Sequence, residues 1–173
     1  PIKEFRISIL FTILVISKAG SLLINPSNFI ASNLAPSTVS ITVDNNIIGK
    51  IDSGFLVLIG ITESDTKEIA DKMVKKLLGL RIFEDADGKM NLSVKDVGGE
   101  VLLVSQFTLY GDASHGNRPS FTLAERPERA EPLYEYTADA VGRYAITVKK
   151  GVFGADMQIT QHNDGPVTIL LEI

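Results

Sequence analysis

From Val39 onward, short apolar runs alternate with clusters of turn residues, and the period of each run predicts its element. Ser40 to Val43 alternates polar with apolar side chains, Asp44-Asn45-Asn46 tolerates positive φ, and Ile47 to Ile51 resumes the pattern, which predicts a hairpin. Gly54 opens FLVLIGI, a continuous apolar run of strand length, as expected for a strand covered on both faces. Asp65 and Glu68 have the spacing of a capping box. Ile69, Met73, Leu77 and Leu80 then recur near the helical period, and Gly79 offers a stop, so a first helix is predicted here. Leu80 to Phe83 reads as a strand, followed by Asp85-Ala86-Asp87-Gly88 as a turn; a calcium loop is disfavoured because its ligand series breaks off.

EVLLVSQFTL, from Glu100 to Leu109, reads as one strand that changes character midway: Val101 to Val104 is core, whereas Ser105, Gln106 and Thr108 set polar groups around Phe107. A polar cluster ending a buried strand is a common place for a ligand. Gly111, Gly116, Asn117 and Pro119 mark a loop. A second helix is predicted from Pro127, with Leu133, Tyr136, Ala140, Val141 and Tyr144 on one face. Lys149, Lys150 and Gly151 lead into VFGADMQIT, and VTILLEI closes the chain; both read as strands. No internal repeat or low-complexity segment occurs.

The length of 173 residues suits one ordinary domain with a sizeable core. Cysteine is absent, which excludes disulfides, thiolate nucleophiles and Cys-based zinc sites, and two histidines leave little to hold a transition metal. A carboxylate site for Mg²⁺ stays open on composition. The net charge of −4 argues against wrapping long nucleic acid, but is compatible with gripping a short single-stranded end. Residues 1–38 differ from the rest, with Glu4 as their one acid against Lys3, Arg6 and Lys18, and an apolar block from Ile7 to Ile16. That block is shorter than the roughly 20 residues of a membrane span. The segment is read as an atypical leader: an organelle transit peptide, a secretory signal, or a divergent first strand followed by a loop.

Four constellations carry candidate chemistry. Ser105, His162 and an aspartate supply the residue types of a hydrolytic triad, but no GxSxG elbow surrounds Ser105. Neither GxGxxG nor GxxxxGK[ST] occurs, which disfavours NAD and ATP. On a strand, Gln106 and Thr108 share a face and project into one pocket; polar pairing on an exposed face fits them equally. Finally NDGPVT, Asn163 to Thr168, opens an apolar strand with Gly-Pro. Gly165 has access to backbone angles closed to other residues, and Pro166 has no amide hydrogen, so the segment presents carbonyl oxygens. Rigid carbonyls beside a substrate α-carbon would repel a substituent on one face and tolerate hydrogen there. A strand beginning at its permitted proline position explains Pro166 alone equally well.

SQFTL (Ser105 to Leu109) and NDGPVT, in that order, resemble the signatures of the D-aminoacyl-tRNA deacylase family, also called D-tyrosyl-tRNA deacylase. GFLVLIGI (Gly54 to Ile61), LRIFEDADGKMNLSV (Leu80 to Val94), GNRPSF (Gly116 to Phe121) and FGADMQI (Phe153 to Ile159) extend the likeness over Val39 to Ile173. The resemblance implies a single domain over residues 39–173 with an α/β fold, a small barrel-like pair of mainly antiparallel sheets flanked by two main helices. It implies an ester hydrolase that releases D-amino acid from the 3′ end of mischarged tRNA, with glycyl-tRNA as a side substrate, working as a homodimer without cofactor or metal. The mature domain is expected to be cytoplasmic and off the membrane, or in an organelle if the leader is a transit peptide. Carried onto this chain, Gly165 and Pro166, in cis, form the selectivity device that enters the partner's pocket. Ser105, Gln106, Phe107 and Thr108 line the reacting ester, and Phe153, Gly154 and Met157 match the adenosine-pocket region.

One departure stands out. Where the family carries Gln-Arg-Val, this chain has Leu34-Ala35-Pro36, which removes the arginine that helps fix the Gly-Pro carbonyls; the block Ile7 to Ile16 is the candidate replacement for the first strand. A non-catalytic tRNA-end-binding module and a general small-ester hydrolase remain the alternatives.

Overall fold

The computed structural model describes residues 38–162 and 167–172, together with the backbone of 10–16. The predicted hairpin forms from Val39–Val43 (β2) and Asn46–Ile51 (β3), and its turn places Asp44 and Asn45 at φ 48° and 63°, the left-handed geometry that matches strand twist. Gly54–Gly60 (β4) pairs in parallel with Glu100–Ser105 (β7), which pairs in parallel with Val148–Lys150 (β8). Parallel neighbours require long crossovers, and the two helices supply them: Lys67–Leu78 (α1) follows β4, and Pro127–Gly142 (α2) joins β7 to β8. On the other side of β4, Leu10–Ile16 (β1), within the segment read as leader, runs antiparallel to β4 and to Thr168–Leu171 (β10). The resulting five-stranded sheet, ordered β10-β1-β4-β7-β8, is therefore mixed.

A second, antiparallel sheet is ordered β3-β2-β9, with Gln158–Gln161 as β9. The described strands close no barrel. A small hairpin of Phe83–Glu84 (β5) and Met90–Leu92 (β6) follows α1.

The unbroken apolar runs follow from this layering. Phe55, Val57 and Ile59 of β4 and Val101 and Leu103 of β7 join Met73, Leu77, Tyr134 and Val141 of the helices in one core. Leu56, Leu102 and Val104 point the other way, into a second core with Val39, Ile41 and Ile51. A period of two on a sheet covered on both faces makes every position apolar. Each of these side chains contributes about 1.5–3 kcal/mol when fully buried.

Several local expectations are corrected. Thr66, not Asp65, caps α1, accepting from Ile69 N; Asp65 instead accepts the Thr62 amide at 2.7 Å. The strand expected over Leu80 to Phe83 begins only at Phe83, where β6 supplies a partner. On α2 the fully buried aromatic is Tyr134, while Tyr144 is 44% exposed beyond the helix end. The strand expected from Glu100 to Leu109 stops at Ser105 and tightens into a 3-10 turn over Phe107–Tyr110. VFGADMQIT divides into a turn-rich loop and β9, with Gly154 at φ 71°.

Candidate active site

β4, β7 and β8 end on the same side of the sheet, and where parallel strands stop their carboxyl ends leave a crevice. A cavity of about 730 Å³ lies there. Ile59 and Ile61 line it from the end of β4, and Val104, Ser105, Gln106 and Phe107 from the end of β7. Phe153, Gly154 and Met157 enter from the loop after β8. A further wall comes from Phe121, Ala124, Glu125 and Arg126, just before α2.

The turn after β7 has a local cause. Gln106 donates its amide to Ile59 O at 2.8 Å, the last contact of the ladder, and its φ and ψ of −145° and 84° send the chain off the sheet. Leu109 N then bonds to Gln106 O at 3.2 Å and Gly111 N to Thr108 O at 3.0 Å. The first amides of such a turn, those of Phe107 and Thr108, have no acceptor within it. Gly60 permits this packing: a Cβ there would lie 3.0 Å from the Tyr110 ring and 3.1 Å from Leu109 Cβ. Gly111 similarly admits the Phe121 ring, which meets Phe107 edge-on at 5.3 Å.

Gln106 and Thr108 do not share a strand face, yet they meet: Gln106 Nε2 donates to Thr108 Oγ1. Thr108 is exposed and lies beside the cavity rather than among its lining residues. Phe107 is 59% exposed, which leaves its ring free for a ligand. The loop after β8 is anchored by Gly151 N, which donates to Leu103 O at 2.9 Å, and by Tyr134, whose hydroxyl donates to the same carbonyl at 2.8 Å with Gly151 O at 3.3 Å. Burial pushes the Tyr134 phenol well above its ordinary pKa, so it stays a hydrogen-bond donor and is no base. Phe153 packs near it, with ring centroids 6.0 Å apart.

Glu125 is the most enclosed charged group at the cavity. Its Oε1 accepts from Arg126 N at 2.7 Å, and Oε2 sits 3.0 Å from Arg129 Nη1 as an ion pair without hydrogen-bond alignment. Neither His115 nor His162 lines the cavity, and both are exposed. Among the described residues no group of three or more His, Cys, Asp and Glu is placed to hold a metal, and no helix is long and apolar enough to cross a membrane. Gly165 and Pro166 lie outside the described residues, as do Leu34, Ala35 and Pro36.

Two of the cavity's walls carry residues expected there from the sequence, Ser105 to Phe107 and Phe153, Gly154 and Met157, whereas the third does not. Phe121 lay inside a motif without a role, and Ala124-Glu125-Arg126 read only as the approach to a helix. The available signal was Pro127 at the first position of α2, which puts the preceding residues at a helix N-terminus.

Residues 36–172 match the family described as D-Tyr-tRNA(Tyr) deacylase. A D-aminoacyl-tRNA deacylase of Geobacillus sp. (strain WCH70) is 52% identical over 132 residues, covering 76% of this chain and 87% of that protein. Among solved structures, the c-Myc DNA Unwinding Element Binding Protein aligns with a TM-score of 0.78 at 36% identity, over 95% of this chain and 98% of that one. A chain described as a probable eukaryotic D-amino acid tRNA deacylase shares the fold, with a TM-score of 0.72 at 17% identity, over 96% of this chain and all of the other.

Proposed function

The chain belongs to the D-Tyr-tRNA(Tyr) deacylase family, and from that membership and the cavity we propose that it hydrolyses the ester bond of D-aminoacyl-tRNA, releasing D-amino acid and tRNA. The observation that carries this reading is the convergence of Ser105-Gln106-Phe107 with Phe153, Gly154 and Met157 at the carboxyl ends of three parallel strands. The aminoacyl ester lies against the first group, and the terminal adenosine against the second.

An aminoacyl ester is already activated, so positioning and oxyanion stabilisation supply most of the acceleration. The amides of Phe107 and Thr108 are the oxyanion donors. Water adds to the ester carbonyl, the bond to the ribose 3′-oxygen breaks, and that oxygen takes the proton, with the substrate's own 2′-hydroxyl assisting. Thr108 is not the nucleophile. Its oxygen already accepts from Gln106, and neither histidine lines the cavity to deprotonate it.

Gly165 and Pro166 act as the chirality filter, their carbonyls excluding an L side chain while admitting the hydrogen of a D-amino acid or of glycine. The filter works across a homodimer. Exposed apolar side chains around the cavity support that assembly: Phe107 at 59%, Leu123 at 49% and Ile159 at 36%.

The test is deacylation of matched D- and L-tyrosyl-tRNA. Hydrolysis of the D form alone is expected. Tight binding without turnover would replace the enzyme by a tRNA-end-binding module, and indifference to chirality would replace it by a general esterase. Thr108→Ala is expected to cost about fivefold or less, the worth of one hydrogen bond. An abolished rate with intact binding would restore Thr108 as nucleophile.

A further inference from the structure

The wall that carries Phe121, Ala124, Glu125 and Arg126 has no regular strand to hold it; one isolated antiparallel bridge, Thr62 to Ala124, ties it to the end of β4. Around that bridge lies a clasp of polar groups. Thr62 Oγ1 donates to Leu123 O at 2.6 Å, and Glu125 N donates to Ile61 O at 2.8 Å. Asp65 Oδ2 accepts the Thr62 amide at 2.7 Å, while Asp65 N donates back to Thr62 O at 3.1 Å, which fixes the turn that presents the hydroxyl. On the outside, Arg129 donates from Nη2 to Glu63 O at 3.3 Å and pairs with Glu125 through Nη1.

Thr62 is 3% exposed and Asp65 6%. Burying a hydroxyl and a carboxylate is costly unless their hydrogen bonds are made. Here the bond of the Thr62 hydroxyl joins two segments that each contribute to the cavity, Ile61 on one side and Phe121, Ala124, Glu125 and Arg126 on the other, while the Asp65 carboxylate fixes the turn within the first. The clasp touches none of the proposed reacting groups. A clasp so placed would act on cavity width, and so on how the substrate is held rather than on the chemical step.

We propose that Thr62 is a positioning residue, which through Leu123 and Ala124 holds the cavity wall at the spacing that accepts the aminoacyl-adenosine end of the substrate. This rests on the deacylase reading.

The experiment is steady-state deacylation of D-tyrosyl-tRNA by the full chain and by Thr62→Val, Thr62→Ser and Arg129→Gln, each with a thermal melt. Wild-type turnover is established first; its absence overturns the deacylase reading and the inference with it. Given turnover, Thr62→Val is expected to raise KM by up to about fivefold, the limit reached if the whole worth of one hydrogen bond must be made up in re-ordering the wall on binding, with kcat within about twofold. Thr62→Ser restores KM because it keeps the hydroxyl. An unchanged KM in Thr62→Val, or a fall in kcat alone, overturns the inference while leaving the deacylase reading intact. Should Thr62→Val fail to fold, Arg129→Gln decides: Arg129 is itself exposed, so the fold survives, but the enclosed Glu125 loses its ion-pair partner, and KM is expected to rise about twofold with a modestly lowered melt. An unchanged KM there counts against the clasp.

Discussion

Val101–Val104 and Phe107–Tyr110 are near neighbours in one apolar stretch, yet they do opposite work. The first four side chains are at most 1% exposed and sit in a strand bonded in parallel on both sides. The second four have left the sheet; none is buried, and Phe107 is 59% exposed. A similar departure occurs after β8, where Val148–Lys150 keeps the ladder, Gly151 makes its last bond to Leu103 O, and residues 153–157 line the cavity. Rigidity comes from the paired halves. The ends, freed of partners, turn amides and rings toward a ligand, so stability and recognition occupy different residues of the same segments.

The largest effect separating the two belongs to the paired half. Leu103→Ala removes a fully buried side chain between β7 and the helices, and is expected to cost about 3 kcal/mol in urea unfolding. The activity of the folded fraction should change little. A cost below about 1 kcal/mol would mean the sheet is not the stabilising frame. Phe107→Ala should show the reverse: a stability change within about 0.5 kcal/mol and a fall in kcat/KM of about tenfold. Loss of both together would merge the two regions. Tyr134→Phe links them, because its hydroxyl ties α2 to Leu103 O and reaches Gly151 O; Leu103 O keeps the Gly151 amide, so the expected loss is about 1 kcal/mol.

The smallest effect is acid dependence at the loop after the 3-10 turn. Ser114, through its side chain and then its amide, holds the Asp112 carboxyl below its ordinary value of 3.8. A depressed carboxyl stabilises the fold fully above that value and loses its contribution as pH falls through the folded pKa. Asp112→Asn should therefore lower the melting temperature slightly near neutrality, with the difference from wild type closing as pH falls below about 4. A difference that persists undiminished below about pH 4 would show that charge is not the cause.

Much of the frame was legible because burial on both faces leaves a plain mark: β4 reads GFLVLIG since alternate residues serve two cores. The hairpin turn was legible because Asp44 and Asn45 are residue types that accept positive φ. The site was harder. Phe107 is apolar for a cavity rather than for a core, and Phe153 and Met157 line the cavity while packing against the two cores, so their runs imitate strands and the predicted elements ran too long. Asp65 had the right spacing for a cap, but the nearby Thr62 amide took its carboxylate and Thr66 capped instead. The parallel order of β4, β7 and β8 depends on contacts distant in sequence, and local periodicity carries no trace of it. The third wall of the cavity, tied to β4 through Thr62, depends on a similarly distant contact, and Pro127 marked only that a helix begins beside it.

The most direct measurement is an amide-resolved NMR titration with a non-hydrolysable D-tyrosyl amide of 3′-amino-3′-deoxyadenosine. Perturbations centred on Gln106, Phe107 and Thr108 and on Gly154 to Met157 are predicted, with those of Leu102 and Leu103 nearly unmoved. Silence at both strand ends, or perturbations gathered instead at the groove of Asp139, Arg143 and Lys150 beside α2, would contradict a substrate site at the carboxyl ends of the parallel strands.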